Sequence, residues 1–300
     1  MVKIGLTFLG TGDDIPSRTR NHTSILLRFN EENILFDCGE GTQRQFRKAG
    51  LNPCKITKIL ITHWHGDHVL GLAGLLSTLS MSGYNKILYI YGPKGIKEKV
   101  KKTLKVFNFH KNYQIKIEEV NPGIFYERKD FYLSCEEMEH GIPTLAYSFV
   151  NKGNVRINKD KLKKSGLSQG PHLQKLKEGK DITQEGKKFK SKDFVYKEED
   201  KKVSVVLDTK LNKKIIPFVK NSDLLITEST YSKELKKEAL EHLHLTVDQA
   251  AGIAKKSNAK KLILTHVSSR YLKNMKGLLN EAREIFKESY LVKDLDKVEV

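Results

Sequence analysis

The chain has 300 residues, of which 38% are hydrophobic; this is enough to build a sizeable core, so the composition excludes a disordered protein. No stretch approaches the roughly 20 apolar residues of a membrane-spanning helix, the first residues lack the apolar core of a signal peptide, and the three cysteines are widely spaced. We therefore expect a cytoplasmic protein without a membrane partner or a disulfide framework. The net charge of +18 indicates a polyanionic partner. A Lys-rich composition also occurs in heat-adapted proteins.

Short runs rich in β-branched residues and Leu alternate with amphipathic segments, which is typical of an α/β protein. We expect strands, in chain order, at residues 4–10, 24–29, 33–37, 58–62, 86–92, 202–208, 223–228 and 261–266. We expect helices at residues 68–83, 95–107, 246–258 and 271–290. Thr246 followed by Gln249 is a capping box, which predicts the start of the third helix.

An insertion at residues 152–202 has a different composition from the rest of the chain. It contains sixteen Lys or Arg against eight Asp or Glu and few apolar residues, so it cannot supply the main core. We expect one catalytic domain over residues 1–300 that carries this insertion. The insertion is either a solvated surface loop or a flexible basic arm that binds phosphates.

Polar residues of metal-binding type follow five of the predicted strands. They are Asp37, His63, Asp208, Glu228 and His266. In open α/β sheets, groups at the carboxyl ends of strands converge on one edge, where ligands bind. The pattern therefore predicts a single site.

The segment His63–Trp64–His65–Gly66–Asp67–His68 places four possible metal ligands within six residues. On a strand-to-helix turn, His63 and His65 can point to one metal while Asp67 and His68 face a second. Imidazole and carboxylate ligands without thiolate suit zinc or a similar divalent ion, with positions left open for water. This pattern predicts a catalytic site rather than a structural one.

These motifs resemble the metallo-β-lactamase fold and, more narrowly, the ribonuclease Z family of tRNA 3′-processing endonucleases. The general motifs are HxHxDH, DCGEGTQRQ from Asp37, EHGIPTLAYSF around His140, LDT at Asp208 and THVSSRY around His266. The narrower resemblance depends on PSRTRN at residues 16–21, ESTY and HLT between Glu228 and Thr246, and the Gly-Pro segment of the insertion. The resemblance covers residues 5 to about 271 and implies an α/β fold with an αββα sandwich.

The resemblance also implies two Zn²⁺ ions per subunit. One would be held by His63, His65 and His140, and the other by Asp67, His68 and His266, with Asp208 bridging the two. Asp37 would orient a ligand histidine without touching the metal. Leu207 stands where a Gly often precedes the bridging Asp, which bears on packing and removes no ligand.

In the mechanism that the resemblance implies, Asp67 acts as general base and His244, polarised by Glu228, stabilises the phosphate or protonates the leaving oxygen. His242 is also near the expected position, and His244 is favoured by its distance to the capped helix. The substrate would be precursor tRNA, cut 3′ of the discriminator nucleotide to leave a 3′-hydroxyl and a trailer with a 5′-phosphate.

Further residues would contact the RNA if the resemblance holds. The substrate-binding candidates are Arg18, Arg20, Asn21, Gly170, Pro171 and Arg270. In the resembling family the arm of one subunit of a homodimer holds the body of the tRNA while the metals of the other subunit cut it. We therefore expect a homodimer.

Three other functions are compatible with parts of the pattern. A small-molecule phosphodiesterase or thioester hydrolase on the same fold would need neither the basic insertion nor the PSRTRN loop. A non-catalytic RNA-binding protein with structural zinc would use closed sites of four ligands, often thiolates. A flavodiiron-type redox protein would need Glu in place of His65 and a flavin domain for which the chain has no room.

Overall fold

Two large β-sheets form the centre of the fold in the computed structural model, which describes residues 3–107, 109, 112–168, 170–184 and 186–300. In this part of the chain the strands are, in order, β1 (Gly5–Gly10), β2 (Ser24–Phe29), β3 (Glu32–Phe36), β4 (Lys58–Leu60), β5 (Leu88–Gly92), β6 (Ile115–Glu119), β7 (Gly123–Glu127), β8 (Phe131–Glu139), β9 (Pro143–Asn151), β10 (Val155–Ile157), β11 (Ile182–Gln184), β12 (Lys187–Phe189), β13 (Val195–Lys197), β14 (Lys201–Val206), β15 (Leu224–Glu228), β16 (Leu262–Thr265), β17 (Ser289–Leu291) and β18 (Lys297–Glu299). The first sheet has the order β18-β1-β2-β3-β4-β5-β6, and the second has the order β17-β16-β15-β14-β9-β8-β7.

The helices of the same residues are, in order, α1 (Thr42–Lys48), α2 (Gly66–Val69), α3 (Leu72–Met81), α4 (Ile96–Val106), α5 (Lys159–Ser165), α6 (Leu173–Lys177), α7 (Ser191–Phe194), α8 (Ile215–Val219), α9 (Lys236–Glu241), α10 (Val247–Lys256) and α11 (Met275–Ile285). The predicted capping box is confirmed, because Thr246 caps α10 and the Gln249 side chain accepts from the Thr246 backbone N–H. None of these helices is both long enough and apolar enough to cross a lipid bilayer.

The two sheets pack face to face through large buried side chains. The rings of Phe29 and Phe149 lie 5.1 Å apart between centroids, and the Tyr147 hydroxyl donates to the Ile61 carbonyl oxygen at 2.8 Å. Burying one such aromatic side chain stabilises the fold by about 1.5–3 kcal/mol. Helices α1, α3 and α4 contribute to one outer apolar cluster, and α8, α10 and α11 contribute to another. The predicted αββα sandwich is confirmed.

All eight predicted strands overlap observed ones, but the sequence did not indicate the long neighbouring strands β8 and β9. In β8, buried residues alternate with exposed or half-buried ones, and the carboxylates of Glu136, Glu137 and Glu139 occupy much of the second set. This alternation is the normal pattern of a strand with one buried face, and the high charge of the segment obscured it.

The prediction of one continuous helix at residues 68–83 is wrong, because the helix is interrupted between α2 and α3. The Gly71 N–H donates to the Cys38 carbonyl at 2.9 Å. A Cβ atom at Gly71 would lie 2.0 Å from the Gly39 carbonyl oxygen, so the close approach of the two loops requires glycine here. The helix predicted at residues 271–290 is shorter than expected, since α11 ends at Ile285 and β17 follows.

By its contacts the chain divides into two compact units. The first comprises residues 1–126, 133–149 and 202–300, and the second comprises residues 127–132 and 150–201, which include most of the insertion. The second unit has a small apolar core of its own, made by Leu162, Leu167, Leu176, Ile182 and Phe194. The composition of the insertion did not indicate this core.

Candidate metal centre

Strand ends of the first unit bring the predicted metal ligands to one place. Asp37, Asp208 and His266 each follow a buried strand and adopt left-handed backbone conformations, with φ values of 55°, 49° and 54°. Such conformations are disfavoured for residues other than glycine and cluster at functional sites. This strained conformation is therefore shared by three residues, from strands of both sheets, that meet at the predicted metal site.

The first cluster of donor atoms comprises His63, His65, His140 and Asp208. The His65 Nδ1 atom lies 3.1 Å from His63 Nε2 and 3.2 Å from His140 Nε2. The Asp208 Oδ2 atom lies 3.6 Å from His63 Nε2 and 3.7 Å from His140 Nε2. Four donor atoms from three parts of the chain thus lie close together.

The second cluster comprises Asp67, His68, His266 and the same Asp208. The His68 Nε2 atom is 3.1 Å from Asp67 Oδ2, 3.3 Å from Asp208 Oδ2 and 3.3 Å from His266 Nε2. The His266 Nε2 atom is 3.2 Å from Asp67 Oδ2 and 3.4 Å from Asp208 Oδ1. Asp208 therefore belongs to both clusters. Its Oδ2 atom faces the first cluster and His68, and its Oδ1 atom faces His266.

Donor spacing in both clusters fits a divalent metal. Four ligands arranged tetrahedrally at about 2.0–2.1 Å from zinc lie roughly 3.3 Å from one another, close to the observed separations. Asp208 Oδ1 is buried and accepts no hydrogen bond among the described residues, although such an atom normally has a partner. A bound cation would satisfy it, and the residues present therefore fit metal binding.

Electrostatics also favour metal ligation at the first cluster. Burial, together with the neighbouring imidazoles, lowers the pKa of His63 well below its ordinary value, and burial lowers the pKa of His65 as well. Both rings are therefore held neutral, the form in which an imidazole nitrogen binds a metal. The pKa of Asp208 lies well below its ordinary value because His266 and His68 outweigh the opposing effect of burial.

Further side chains fix the orientation of the ligand histidines. Asp37 Oδ2 accepts from His68 Nδ1 at 2.7 Å, and the other Asp37 oxygen accepts from the Thr62 N–H. Thr230 Oγ1 lies 2.9 Å from His266 Nδ1 and donates to Glu228 Oε2 at 2.7 Å. Such partners fix the ring tautomer and increase ligand basicity. Sequence reasoning missed Thr62 and Thr230, although each lies within two residues of a predicted site residue.

Glu228, which is buried, and His244, which is partly buried, form a pair beside the two clusters. The Glu228 side chain is fully buried and its Oε2 atom lies 2.8 Å from His244 Nδ1. Burial lowers the pKa of His244, but the Glu228 carboxylate more than offsets this and raises it to about 9. The His244 ring lies 4.8 Å from that of His140, whereas His242 stacks in parallel on Tyr231, 6.3 Å away. The structure therefore places His244 next to Glu228 and His140, and it places His242 against Tyr231.

The predicted substrate-binding residues are placed in different environments. Arg20 is buried, and its guanidinium donates to Thr11 Oγ1 and to the Val292 carbonyl oxygen, so it supports the loop rather than facing solvent. Asn21 donates to the Glu40 carbonyl oxygen, while Arg18 is exposed. In the second unit Gly170 and Pro171 form the turn before α6, where their carbonyl oxygens accept from the first backbone amides.

An open cavity of about 830 Å³ lies over the two clusters of donor atoms. Its walls include Asp13, Ile15, Leu70, Tyr231, Arg270 and several of the ligand residues. Ile15 and Leu70 are 61% and 62% exposed, so the cavity offers apolar as well as charged surface. Its volume suits a substrate larger than a single phosphate group.

Fold and site together define a metal-binding hydrolase of the metallo-β-lactamase fold. A metallo-β-lactamase fold protein from Bacillus subtilis, YhfI, superposes with a TM-score of 0.72 at 18% identity over 100% of both chains. The crystal structure of human tRNase Z, short form, superposes with a TM-score of 0.72 at 28% identity, covering 98% of each chain. A family model described as "Anti-Pycsar protein Apyc1" matches residues 4–166.

A curated relative named ribonuclease Z, from Listeria monocytogenes serotype 4a (strain HCC23), is 42% identical over 297 residues, which cover 97% of this chain and 97% of that protein. The chain belongs to the ribonuclease Z family. It is accordingly a hydrolase of the nuclease class, as its sequence motifs predicted.

Proposed function

We propose that the protein is a zinc-dependent endoribonuclease that cuts precursor tRNA 3′ of the discriminator nucleotide, leaving a 3′-hydroxyl on the tRNA and a 5′-phosphate on the trailer. The observation that carries this proposal is the pair of donor clusters, both contacted by the Asp208 carboxylate, next to the Glu228–His244 pair. Relatives named ribonuclease Z and the likeness to human tRNase Z support tRNA as the substrate.

Two zinc ions would be held by the two clusters. The first would take His63, His65 and His140, the second Asp67, His68 and His266, and Asp208 would bridge both. When bound, paired ions activate water and neutralise charge on the phosphate, which favours in-line displacement. Asp37 would hold His68 in the orientation that ligation needs, since it accepts from His68 Nδ1.

Asp67 and His244 would handle the protons. Asp67 faces the second cluster and would accept a proton from the attacking water. It is ionised, because His68 and His266 outweigh burial and lower its pKa. His244 is protonated at neutral pH because its pKa is raised to about 9 by buried Glu228, against the effect of its own burial. It would donate its proton to the leaving 3′-oxygen, and Glu228 would stabilise the cationic ring.

Charge and composition support the remaining parts of the proposal. The insertion, with its surplus of basic residues, would bind the body of the tRNA in a homodimer, and Arg18 and Arg270 would contact the RNA near the cut. Arg20 and Asn21 would act indirectly, by holding the loop that carries Arg18. The three cysteines are free, as expected for the reducing cytoplasm in which the enzyme would act.

A substrate panel tests the proposal against the small-molecule alternative. Purified protein is given a 3′-extended tRNA, an unstructured RNA of equal length, and bis-p-nitrophenyl phosphate. A tRNA-processing enzyme should cleave the extended tRNA with a far higher kcat/KM than the unstructured RNA. Equal kcat/KM values for the two RNAs, or cleavage of the small diester alone, would favour a general phosphodiesterase.

Metal analysis gives a first quantitative prediction. We expect two zinc ions per chain in freshly purified protein, because the two clusters each provide a complete set of ligands around shared Asp208. Chelation should lower both activity and melting temperature, since binding to the folded state stabilises it. Elemental analysis before chelation and after zinc return provides the measurement. A reproducible content near one ion, with full activity, would contradict the two-ion arrangement.

Removal of the insertion gives a second prediction. Replacing residues 152–200, which lie between β9 and β14, with a short Gly-Ser linker should raise KM for precursor tRNA strongly. It should also flatten the salt dependence, because each phosphate contact makes affinity fall by roughly 0.7–0.9 log units per tenfold rise in salt and these contacts are removed. The metal clusters lie outside this segment, so bis-p-nitrophenyl phosphate hydrolysis should survive. If the shortened protein shows unchanged KM and salt dependence with tRNA, the insertion is only a solvated appendage.

A further inference from the structure

One wall of the cavity carries an arginine stacked on a tyrosine. The Arg270 guanidinium carbon lies 4.9 Å from the centroid of the Tyr231 ring, and Arg270 Nε donates to Ser268 Oγ at 3.2 Å. Tyr231 is only 6% exposed, whereas Arg270 is exposed. The ring contact and the hydrogen bond both restrict the position of the guanidinium group.

Charge at this arginine is not neutralised by the protein. Within the described part of the chain, no carboxylate lies within 4.0 Å of Arg270, although Lys210, Lys214 and Lys233 on the same unit all have such partners. Arg270 and Tyr231 both line the cavity above the two clusters of donor atoms. A guanidinium with one covered face, an exposed side and no acidic partner is suited to a planar, electron-rich ligand.

The stack lies beside the proposed proton donor. The ring of Tyr231 is 5.9 Å from that of His244 between centroids. In the proposed function His244 donates its proton to the leaving 3′-oxygen, which belongs to the nucleotide on the 5′ side of the cut. A nucleotide that presents its 3′-oxygen to His244 would have its own base within reach of the Arg270–Tyr231 wall.

We propose that Arg270 and Tyr231 form a nucleobase subsite, in which the base on the 5′ side of the cleaved bond stacks on the free face of the Arg270 guanidinium. Tyr231 is the positioning residue, because it backs the opposite face. Single-stranded bases are commonly bound on arginine and aromatic planes in RNA-binding proteins. The subsite rests on the proposed function and adds to it a contact that reads a base rather than a phosphate.

The test uses 3′-extended tRNA with a single abasic nucleotide. The base is removed either from the nucleotide on the 5′ side of the cut or from the one on its 3′ side. With the unaltered protein, the 5′ abasic substrate should lose roughly 5- to 150-fold in kcat/KM, the range expected for one stacked base, and the 3′ abasic substrate should lose much less. Equal losses from the two substrates would overturn the subsite without any variant.

Arg270→Lys keeps the positive charge and removes the planar guanidinium group. This variant should lower kcat/KM on the intact substrate by a similar factor and should be almost insensitive to the 5′ abasic change, because the contact is already lost. Tyr231→Leu should show part of the same loss. Tyr231→Phe keeps the ring and should behave like the unaltered protein. Exposed Lys273→Ala is the matched control and should retain the full abasic effect.

The possible outcomes are distinguishable. Melting temperature and metal content establish that each variant is folded. If the unaltered protein does not cut extended tRNA at all, the proposed function fails. If it cuts, but Arg270→Lys and the 5′ abasic substitution lower kcat/KM by independent factors, the proposed function stands and the nucleobase subsite is refuted.

Discussion

Asp208→Ala is expected to remove nearly all cleavage of precursor tRNA and to reduce the bound metal to less than one ion per chain. Asp208 has donor atoms in both clusters, with Oδ2 3.6 Å from His63 Nε2 in the first and Oδ1 3.4 Å from His266 Nε2 in the second. Loss of this carboxylate removes a ligand from each cluster and leaves histidines without the negative charge that attracts the ions. Cleavage rate and elemental analysis on the same sample provide the measurement.

Two further variants make this result specific. Asp208→Asn keeps the shape of the side chain and one acceptor oxygen, so its metal content should fall between those of Asp208→Ala and the unaltered protein. Asp37→Ala removes an orienting partner and no ligand, and should weaken metal affinity by roughly 10- to 100-fold while excess zinc restores much of the activity. Normal cleavage and two ions in Asp208→Ala would show that Asp208 is not a shared ligand.

His244→Ala is expected to slow cleavage by roughly 10²- to 10⁴-fold at saturating substrate while the metal content stays the same, because it removes a proton donor and no proposed ligand. Glu228→Gln should have a smaller effect, because it keeps a polar partner for the ring at Nδ1 but removes the charge that raises the pKa of His244. Single-turnover cleavage rates and metal analysis are the two readouts.

His242→Ala is the matched control for this prediction. His242 lies two residues away and stacks on Tyr231, so its loss should slow cleavage far less than the loss of His244. His244 also lies within ligand distance of His140 and Asp208. Loss of zinc from His244→Ala would therefore show that His244 is a metal ligand, and a larger effect from His242→Ala would reverse the assignment of the two histidines.

The donor clusters could be anticipated from the sequence because their residues follow strands or lie close together. His63, His65, Asp67 and His68 share six positions, and Asp208 and His266 stand directly after apolar runs. The carboxyl ends of parallel strands commonly carry ligand positions, and here they belong to two sheets, with β4 in the first and β14 and β16 in the second. Thr230 could not be anticipated in this way, since its role depends on lying 2.9 Å from His266, thirty-six residues further along the chain.

Arg20 shows the opposite limit of sequence reasoning. An arginine in a loop motif suggests a phosphate contact, but only the fold reveals that this guanidinium is buried against Thr11 and Val292. The core of the second unit was obscured for a related reason. Its few apolar residues, such as Leu176 and Phe194, are scattered among lysines and converge only when short helices and strands pack together.

Mapping the ends of the cleavage products tests the central proposal most directly. Purified protein with its full metal content is incubated with a 3′-extended tRNA, and both product ends are determined to the nucleotide, together with their terminal groups. We predict a single cut after the discriminator nucleotide, with a 3′-hydroxyl on the tRNA and a 5′-phosphate on the trailer, and no cut by Asp208→Ala. Cuts at scattered positions, a 3′-phosphate on the tRNA, or stepwise removal of single nucleotides would contradict it.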